Sequence, residues 1–450
     1  MGALLSIEEF ARRTGEAVED LRAWRAQGLL GSPDRGFAAE DTERVRLIRS
    51  FLHRGVGLDA VAAWVESGEM DRYVALLASR TSGATYSIVE GAQRLGLDPE
   101  LLRRVWKAIG FSEGPLSEED IEALRMCQAA LAAGFPEEAM VQLMRVFADA
   151  MRRVAETEAH LFHFYIRSQL KARGLDEPEF LRATWVAGDA TTPLAEPALL
   201  YFHRVALRHA IEDTVVMEVA ERAGLLQPAK LPGQLRVTIA FVDMAGFTAL
   251  ADAMGDLKTA EVLDRFSTLV RQAATDSGGH IVKQIGDSFM LTFHDPARAV
   301  EWALDIERRA TAEPSFPAVR CGMHCGPVLY REGDYVGANV NLAARVAAEA
   351  ERHQVLVTDA VRRAAGALPA VDFVRLPKRR LRGLAEEVQL FDARPAGLGR
   401  GARIADPVCH MELGPGEVAA RLSLEGKERV FCSEECLRRF VAAPDRYDAG

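Results

Sequence analysis

Three short segments in the second half of the chain carry acidic, basic and amide side chains at spacings suited to phosphoryl chemistry. They are FVDMAGFTAL at 241–250, KQIGDSF, and DYVGANVNLAAR. The side chains concerned are Asp243, Lys283, Asp287, Asp334, Asn341 and Arg345. Because each segment adjoins a predicted strand or helix end, we expect the fold to hold these groups near one another.

Asp243 ends one predicted buried strand, and Asp287 lies at a predicted tight turn between two others. Two carboxylates at the ends of adjacent strands repel one another unless a cation lies between them. Hard divalent cations such as Mg²⁺ take oxygen ligands and share them with substrate phosphates. A metal pair activates an attacking oxygen and stabilises a leaving one, so the pattern indicates metal-assisted phosphoryl chemistry.

Two further groups suit a nucleotide. Small residues follow Asp243, so backbone amides of Ala245 to Thr248, which include those of Gly246, Phe247 and Thr248, are predicted to bind phosphate at a helix N-terminus. Asn341 and Arg345 lie one helical turn apart on a single face. An amide and a guanidinium there suit a ribose and a phosphoryl group that gathers negative charge.

The stretch 235–394, which contains all six side chains, resembles the class III nucleotide cyclase catalytic domain over nearly its full length. The resemblance implies that Asp243 and Asp287 bind two Mg²⁺ or Mn²⁺ ions, with the backbone carbonyl of Met244 also reaching a metal. A lone aspartate at a strand end is usually structural. The coincidence of all six residues at the family spacing favours a functional interpretation.

The remaining four residues take paired roles under this resemblance. Lys283 and Asp334 fall at the purine-selecting positions, where a Lys donor and an Asp acceptor complement adenine; guanylate-type relatives usually carry Glu and a small polar residue. Asn341 would orient the ribose and Arg345 would stabilise the transition state. The implied enzyme is an adenylate cyclase.

The implied reaction is attack of the ATP ribose 3′-oxygen on the α-phosphorus, which yields cyclic AMP and pyrophosphate. In the family, one protomer supplies the metal ligands and the other supplies the base-selecting and transition-state residues. Because this chain carries both sets, we expect a homodimer. The alternative hypothesis is a transcription regulator whose cyclase-like domain only senses nucleotide.

The elements that must position these groups change character along the chain. Residues 1 to about 230 have the spacing of successive helices, whereas strands and helices alternate from about 235 to 394. The predicted fold is therefore multidomain: an all-α N-terminal half, an α/β ferredoxin-like cyclase domain, and a small cysteine-containing C-terminal module. The predicted domains are 1–78, 84–228, 235–394 and 404–450.

The helical half contains an internal repeat. Residues 5–30 and 37–61 are echoed by 86–111 and 116–140, which predicts two tandem helix-turn-helix units with long helices after them. Residues 5–75 resemble a MerR-type winged helix. Residues 84 to about 225 resemble the adenylate cyclase regulatory domain, which implies a regulatory and dimerising role.

Charge argues against a nucleic-acid partner. The whole chain has a net charge of −10, and residues 1–75 hold 10 Lys+Arg against 13 Asp+Glu, a sum of −3. The second predicted helix of the MerR-like segment carries Glu16, Glu19 and Asp20, where phosphate contacts favour Arg, Ser or Thr. We expect protein interaction rather than DNA binding from this segment.

Three of the six cysteines, Cys409, Cys432 and Cys436, lie in the last 42 residues. This tail resembles the YHS and TRASH-like metal-binding modules. Thiolates suit Zn²⁺ or Cu⁺, with His410 or solvent as a fourth ligand. The alternative is a metal-free docking module with ordinary buried cysteines. We interpret Cys321 and Cys325, which flank His324, as core and loop residues.

Two last expectations concern location and regulation. The sequence contains neither a signal peptide pattern nor a stretch of about 18 apolar residues, so a cytoplasmic protein without a membrane span is expected. Histidine changes charge near neutrality, which makes proton sensing a hypothesis for four residues of the helical half. These are His160, His163, His203 and His209.

Overall fold

The structure is a computed structural model. It describes residues 4–30, 36–78, 85–111, 116–224, 231–384, 386–397, 404–413, 417–424 and 426–447. The chain divides into two compact units, Met1–Pro197 and Ala198–Gly450, and each is described by itself.

The first unit is helical, as predicted. Its helices are α1 (Ile7–Thr14), α2 (Val18–Ala26), α3 (Ala39–His53), α4 (Leu58–Glu66), α5 (Glu69–Ala78), α6 (Ile88–Leu95), α7 (Pro99–Ala108), α8 (Glu118–Ala132), α9 (Glu137–Leu161), a π-helical turn (Phe162–Arg167) and α10 (Ser168–Ala172). The long α11 (Glu177–Arg222) begins in this unit and ends in the second. Two short strands, β1 (Thr85–Tyr86) and β2 (Leu116–Ser117), pair antiparallel.

The internal repeat is confirmed by matching helix caps. Ser6 and Glu9 form a capping box at the start of α1, and Ser87 and Glu90 form the same box at α6. Such reciprocal bonds satisfy backbone amides that the first helical turn leaves without partners. Each copy also has its own hydrophobic core. The first surrounds the stacked rings of Phe10 and Phe37, and the second surrounds Leu102 and Trp106.

Apolar side chains remain exposed along the later helices of the described chain. On α9 and the π-helical turn they include Phe147, Met151, Phe164 and Tyr165. On the part of α11 within the second unit they are Leu200, Tyr201, Phe202, Leu207, Ile211, Val215, Val216 and Val219. Contiguous apolar surface of this kind is typical of an interaction face.

The second unit is built on an eight-stranded mixed sheet. Its strands are β3 (Gln234–Met244), β4 (His280–Ile285), β5 (Ser288–Phe293), β7 (Val319–Arg331), β8 (Asp334–Val336), β9 (Val355–Thr358), β10 (Val371–Arg375) and β11 (Leu390–Pro395). The order is β10-β11-β9-β7-β3-β5-β4, with β8 paired to β7. The β7–β9 pair is parallel, and the other pairs are antiparallel.

Helices cover both faces of this sheet. They are α12 (Phe247–Met254), α13 (Asp256–Ser277), α14 (Pro296–Ala312), α15 (Ala338–Ala348) and α16 (Asp359–Ala365). Alternate side chains of β3 point to opposite faces, as the strand period requires. Ala240 and Val242 join a core with α12, α13 and α14, whereas Val237 and Ile239 join a core that includes Ala343 of α15.

The cysteine-containing tail packs on the cyclase-like domain rather than apart from it. Its elements are β12 (Ile404–Ala405), β13 (Met411–Leu413), β14 (Ala420–Leu424), β15 (Lys427–Phe431), α17 (Glu434–Ala442) and α18 (Pro444–Tyr447). β13 pairs antiparallel with β6 (Phe316–Pro317), a short strand just before β7. Phe431 and Phe440 join the same core as the α12–α14 face of the sheet.

None of the helices in the described ranges combines the length and the apolar content that a membrane crossing requires.

Candidate active site

Asp243 lies one residue before the end of β3, directly opposite Arg320 of β7 in the antiparallel register. The guanidinium of Arg320 donates from Nε to Asp243 Oδ1 at 2.5 Å and from Nη2 to Oδ2 at 3.2 Å. The Asp243 side chain is 18% exposed, so a charge there needs a partner. Nothing in the sequence pattern singled out Arg320.

Asp287 lies beside Asp243, at the tip of the β4–β5 hairpin. Gly286 turns the chain with a φ of 60°, and Ile285 pairs with Ser288. The backbone of Met244 forms a hydrogen bond with the Asp287 carboxylate. The predicted tight turn is therefore confirmed, and it brings the two predicted metal ligands and Met244 together.

The electrostatics of this pair fit a divalent cation. Burial raises the pKa of Asp243, and the Arg320 guanidinium acts in the opposite direction. Burial, then repulsion from Asp243, raises the pKa of Asp287. Two half-buried carboxylates that repel one another form an all-oxygen donor set of the kind that Mg²⁺ or Mn²⁺ takes.

The loop after Asp243 exposes backbone amides at a helix start. Gly246 has a φ of 84°, and α12 begins at Phe247 without a side-chain cap. The first amides of a helix have no partner within it and attract anions. Gly246, Phe247 and Thr248 remain candidates for phosphate contact, whereas the Ala245 amide donates to the Ala318 carbonyl at 2.7 Å.

Lys283 of β4 and Asp334 of β8 form an ion pair in this structure. Their side chains are 38% and 37% exposed, and the Tyr335 amide donates to Asp334 Oδ1 at 2.8 Å. The structure thus brings the predicted purine-selecting residues together. The donor and the acceptor satisfy each other in this pair.

Asn341 and Arg345 lie one turn apart on α15, as predicted. Arg345 reaches toward Gly383, where an added Cβ would lie 3.3 Å from its Nη2. Among the described residues, neither side chain bonds to Asp243 or Asp287. The predicted transition-state pair and the predicted metal pair are therefore separate groups within one chain.

The start of α15 is fixed by a buried histidine, His324, for which the sequence pattern predicts no role. His324 Nε2 lies 3.0 Å from Asn339 Oδ1, and its Nδ1 lies 2.9 Å from Thr358 Oγ1. Asn339 in turn donates to the Pro327 carbonyl at 2.7 Å. Cys321 and Cys325 are buried in the sheet core, in agreement with the prediction.

In the tail, the three predicted thiols meet. Cys409 Sγ lies 3.4 Å from Cys432 Sγ, which lies 3.6 Å from Cys436 Sγ. Asp406 joins them, with ligand atoms of all four groups within 4.8 Å of one another. Its buried carboxylate also accepts hydrogen bonds from the amides of Val408 and Cys432, both at 2.8 Å.

Asp406 was missed in the sequence, and His410 was considered for its place. The His410 ring instead lies against Gly246 of the cyclase-like domain. Hydrogen bonding from Cys409 and Cys432 lowers the pKa of Cys436, which favours its thiolate, the form that binds metal. We call Asp406, Cys409, Cys432 and Cys436 the thiol cluster.

The histidines named for proton sensing lie on exposed helix surface. His160 and His163 each contact the ring of Phe164, at centroid distances of 5.9 and 5.4 Å. His203 and His209 lie on α11. Proton sensing by these four side chains stays a prediction.

Comparison with known families assigns three parts of the chain. Residues 232–388 match the adenylate and guanylate cyclase catalytic domain. Residues 24–211 match the adenylate cyclase regulatory domain, which begins inside the segment predicted to be MerR-like. Residues 404–449 match the YHS domain.

The chain is also similar to individual proteins. A pH-sensitive adenylate cyclase of Mycobacterium tuberculosis is 30% identical over 387 residues, which cover 83% of this chain and 93% of the relative. An adenylate cyclase of Streptomyces coelicolor is 30% identical over 61% of this chain and 70% of its own length. The solved adenylyl cyclase CyaB from P. aeruginosa is 19% identical and covers 37% of this chain and 98% of its own, with a TM-score of 0.33.

The chain belongs to the class III adenylate cyclase family. Residues 232–388 are its catalytic domain, and a regulatory domain precedes and a YHS domain follows. The MerR-type resemblance of residues 5–75 has no counterpart in these matches, and the transcription-regulator alternative is not favoured.

Proposed function

We propose that this protein converts ATP to cyclic AMP and pyrophosphate. The observation that carries the proposal is the pairing of Asp243 with Asp287 at one end of the sheet, where burial raises the pKa of both carboxyl groups and repulsion from Asp243 also raises that of Asp287. Class III cyclases use divalent metal ions, and these carboxylates with the Met244 carbonyl would hold Mg²⁺ or Mn²⁺. When bound, such ions make the ribose 3′-hydroxyl more acidic and stabilise the leaving pyrophosphate.

The chain's own groups would position the substrate. The amides of Gly246, Phe247 and Thr248 would donate to the triphosphate at the start of α12. Arg320 already spans the Asp243 carboxylate, so its guanidinium compensates that charge in the nucleotide-free protein. Arg345 would donate to the α-phosphate as it gathers charge, and Asn341 would bind the ribose.

The ion pair of Lys283 and Asp334 supports adenine as the base. A Lys donor complements a ring nitrogen, and an Asp acceptor complements the exocyclic amine, whereas guanine presents the reverse pattern. On binding, adenine would therefore separate the ion pair. Its ring nitrogen would accept a hydrogen bond from Lys283, and its exocyclic amine would donate one to Asp334. Separating an ion pair that is this exposed to solvent costs little free energy.

We further propose a homodimer with two equivalent sites. Asn341 and Arg345 make no contact with the two aspartates within the described part of one chain, so a second protomer would bring the sets together. The exposed apolar residues of α9 and α11 provide surface for such an assembly. The domains 1–78 and 84–228 would then regulate the catalytic pair.

DNA is not among the partners that we propose. The acidic Glu16 pairs with Arg49 at 3.2 Å, and the Arg25 guanidinium lies 3.7 Å from the centroid of the Phe37 ring. Arg49 and Arg25 are therefore engaged within the domain. A gel shift at low salt with random DNA tests this, because nonspecific binding is strongest there.

Cyclase activity is tested by measuring cyclic AMP formation from ATP with Mg²⁺ or Mn²⁺. Asp243→Ala should reduce it to background, and Asp264→Ala should not, because Asp264 is an exposed residue of α13. Product formation by Asp243→Ala at the wild-type rate, or none by the wild type, would contradict the proposal.

The thiol cluster is proposed to bind Zn²⁺ or Cu⁺. Three sulfurs and one carboxylate suit Zn²⁺, and the three sulfurs alone suit Cu⁺. Metal analysis of the full chain tests this, with Cys432→Ser as the variant that removes one thiol. We expect about one equivalent in the wild type and far less in the variant. Equal metal in both proteins would overturn the site.

A further inference from the structure

The thiol cluster lies next to the loop proposed to bind phosphate. The ring of His410, the residue after Cys409, covers Gly246 so closely that an added Cβ there would lie 2.8 Å from its Cδ2. Gly246 precedes α12 and carries one of the amides proposed for the triphosphate. A side chain of the tail therefore forms one wall of the catalytic loop.

His410 is held in place by a turn that the thiol cluster closes. The backbone φ of His410 is 59°, a left-handed value that is energetically costly for a residue with a Cβ. The His410 amide donates to the Asp406 carbonyl at 2.9 Å, and its own carbonyl accepts from Arg352 Nη2 at 2.8 Å. This turn runs from Asp406 to His410 and contains Cys409. Because two members of the thiol cluster lie in the turn, ordering the cluster fixes the His410 ring on Gly246.

A second contact reaches the other end of α12. Arg439 of α17 donates from Nη1 to the carbonyl of Asp252 at 2.6 Å, in the last turn of α12. Such a cation satisfies a carbonyl that the helix end leaves without a partner. Arg439 lies one turn after Cys436 on the same helix.

Between these two contacts, apolar side chains of the tail and of α12 join one core, but the two surfaces do not close completely. A cavity of about 440 Å³ separates them, with Ala249 and Ala253 on one side and Val408 and Tyr447 on the other. The tail also contacts α12 at its two ends, through the His410 ring at one end and Arg439 at the other, where Arg446 lies 3.9 Å from the Asp252 carboxylate. His410 and Arg439 each lie within three residues of a thiol.

We propose that metal loading of the thiol cluster activates the cyclase by ordering α12 and the phosphate loop. This rests on the proposed function, since it requires both the metal site of the tail and the phosphate contacts of Gly246, Phe247 and Thr248. The metal-loaded tail holds the loop amides in their binding arrangement. The metal-free tail releases them, and ATP then has to order the loop itself.

The test uses the full chain and Zn²⁺ alone, without nucleotide. The protein is stripped with chelator and reductant, loaded with one equivalent of Zn²⁺, and desalted. Hydrogen exchange of amides 246–254 is then compared between the stripped and loaded forms. We expect loading to slow this exchange about tenfold and to lower the KM for ATP.

Two variants isolate the contacts. His410→Gly removes the ring and suits the left-handed φ, so the tail should still bind Zn²⁺ while the response of residues 246–254 is lost. Arg439→Ala should weaken the same response. Its matched control is Arg438→Ala, because Arg438 pairs only with Glu435 in the described structure and should respond like the wild type.

The outcomes separate the two proposals. Cys432→Ser keeps the catalytic aspartates, so a wild-type response in that variant would assign the effect to metal at the carboxylates and overturn the inference. Stoichiometric Zn²⁺ in the wild type with unchanged exchange at 246–254 would overturn it as well. Failure of the wild type to bind Zn²⁺ or Cu⁺ would overturn the metal site, and cyclic AMP formation would remain an independent result.

Discussion

Arg320 and Asp243 face each other across two antiparallel strands and are joined by two hydrogen bonds. The pair places a fixed positive charge beside one of two neighbouring buried carboxylates. The positive charge of Arg320 explains how the carboxylates of Asp243 and Asp287 can lie side by side at this end of the sheet. It also means that removing the guanidinium should make the protein depend more on metal for stability.

Arg320→Ala should lower the free energy of unfolding by about 2 kcal/mol in the absence of divalent metal, because a half-buried carboxylate loses its partner. Mn²⁺ should raise the Tm of this variant more than that of the wild type. Thermal unfolding with and without Mn²⁺ measures both effects. Arg298→Ala, at an exposed position of α14, serves as the control. An equal Mn²⁺ shift in all three proteins would contradict the compensating role.

The Lys283–Asp334 pair makes a prediction about base choice. Lys283→Glu combined with Asp334→Ser should reverse the hydrogen-bonding polarity and lower kcat/KM for ATP by about 100-fold, as expected for two lost bonds of about 1–3 kcal/mol each. The ratio of rates with GTP and ATP should rise. The wild type, the two single variants and the double variant, each assayed with ATP and with GTP, form a double-mutant cycle. An unchanged ratio would remove these residues from base selection.

The division of the site between two chains can be tested by mixing inactive proteins. Asp243→Asn and Arg345→Ala should each be inactive alone. After unfolding and refolding together, about half of the dimers are mixed, and each mixed dimer holds one complete site, so about a quarter of the wild-type activity should return. Refolding each variant separately before mixing is the control. No recovery despite proven exchange of protomers would exclude the shared site.

The contact between tail and catalytic domain should weaken at alkaline pH. Hydrogen bonds to Glu307 of α14 and Glu412 of β13 raise the pKa of His353 to about 9, and Arg352 also pairs with Glu412 at 3.4 Å. Because the folded pKa lies above the unfolded value, this stabilisation is complete below about pH 6.5 and is lost as pH rises through 9. The contribution is on the order of 2–3 kcal/mol.

This dependence is measured as the difference in Tm between wild type and His353→Gln from pH 6 to pH 10. The difference should shrink as His353 loses its proton in the wild type. Glutamine keeps a hydrogen-bond donor without the charge, which separates charge from shape. A Tm difference that stays constant across this pH range would show that the positive charge of His353 does not stabilise the contact between the tail and the catalytic domain.

Much of the fold followed from local sequence signals. The capping boxes at Ser6 and Ser87 and the turn at Gly286 are encoded within a few residues, so the repeat and the β4–β5 hairpin could be predicted. The placement of Asp243 at a strand end followed from the apolar run before it. These features depend on short-range physics that a sequence displays directly.

The groups that were missed depend on contacts between distant segments. Arg320 matters because the β3–β7 register sets it opposite Asp243, and no pattern near residue 320 reveals that register. Asp406 and the three thiols come together only after two separated segments, 406–409 and 432–436, meet. The Ala245 amide, predicted to be available for phosphate, is taken by Ala318 for the same reason.

The pairing of β13 with β6 also has a consequence for the order of biosynthesis. Its partners, such as Met411 and Pro317, are far apart in the chain, and five of the eight strands of the catalytic sheet lie between them in sequence. Contacts between distant residues form late because the intervening loop must first close. During translation the tail emerges after the catalytic domain, so β13 can pair with β6 only when all strands of the catalytic sheet have been synthesised. A docked tail therefore indicates that the catalytic domain of the same chain has been made in full.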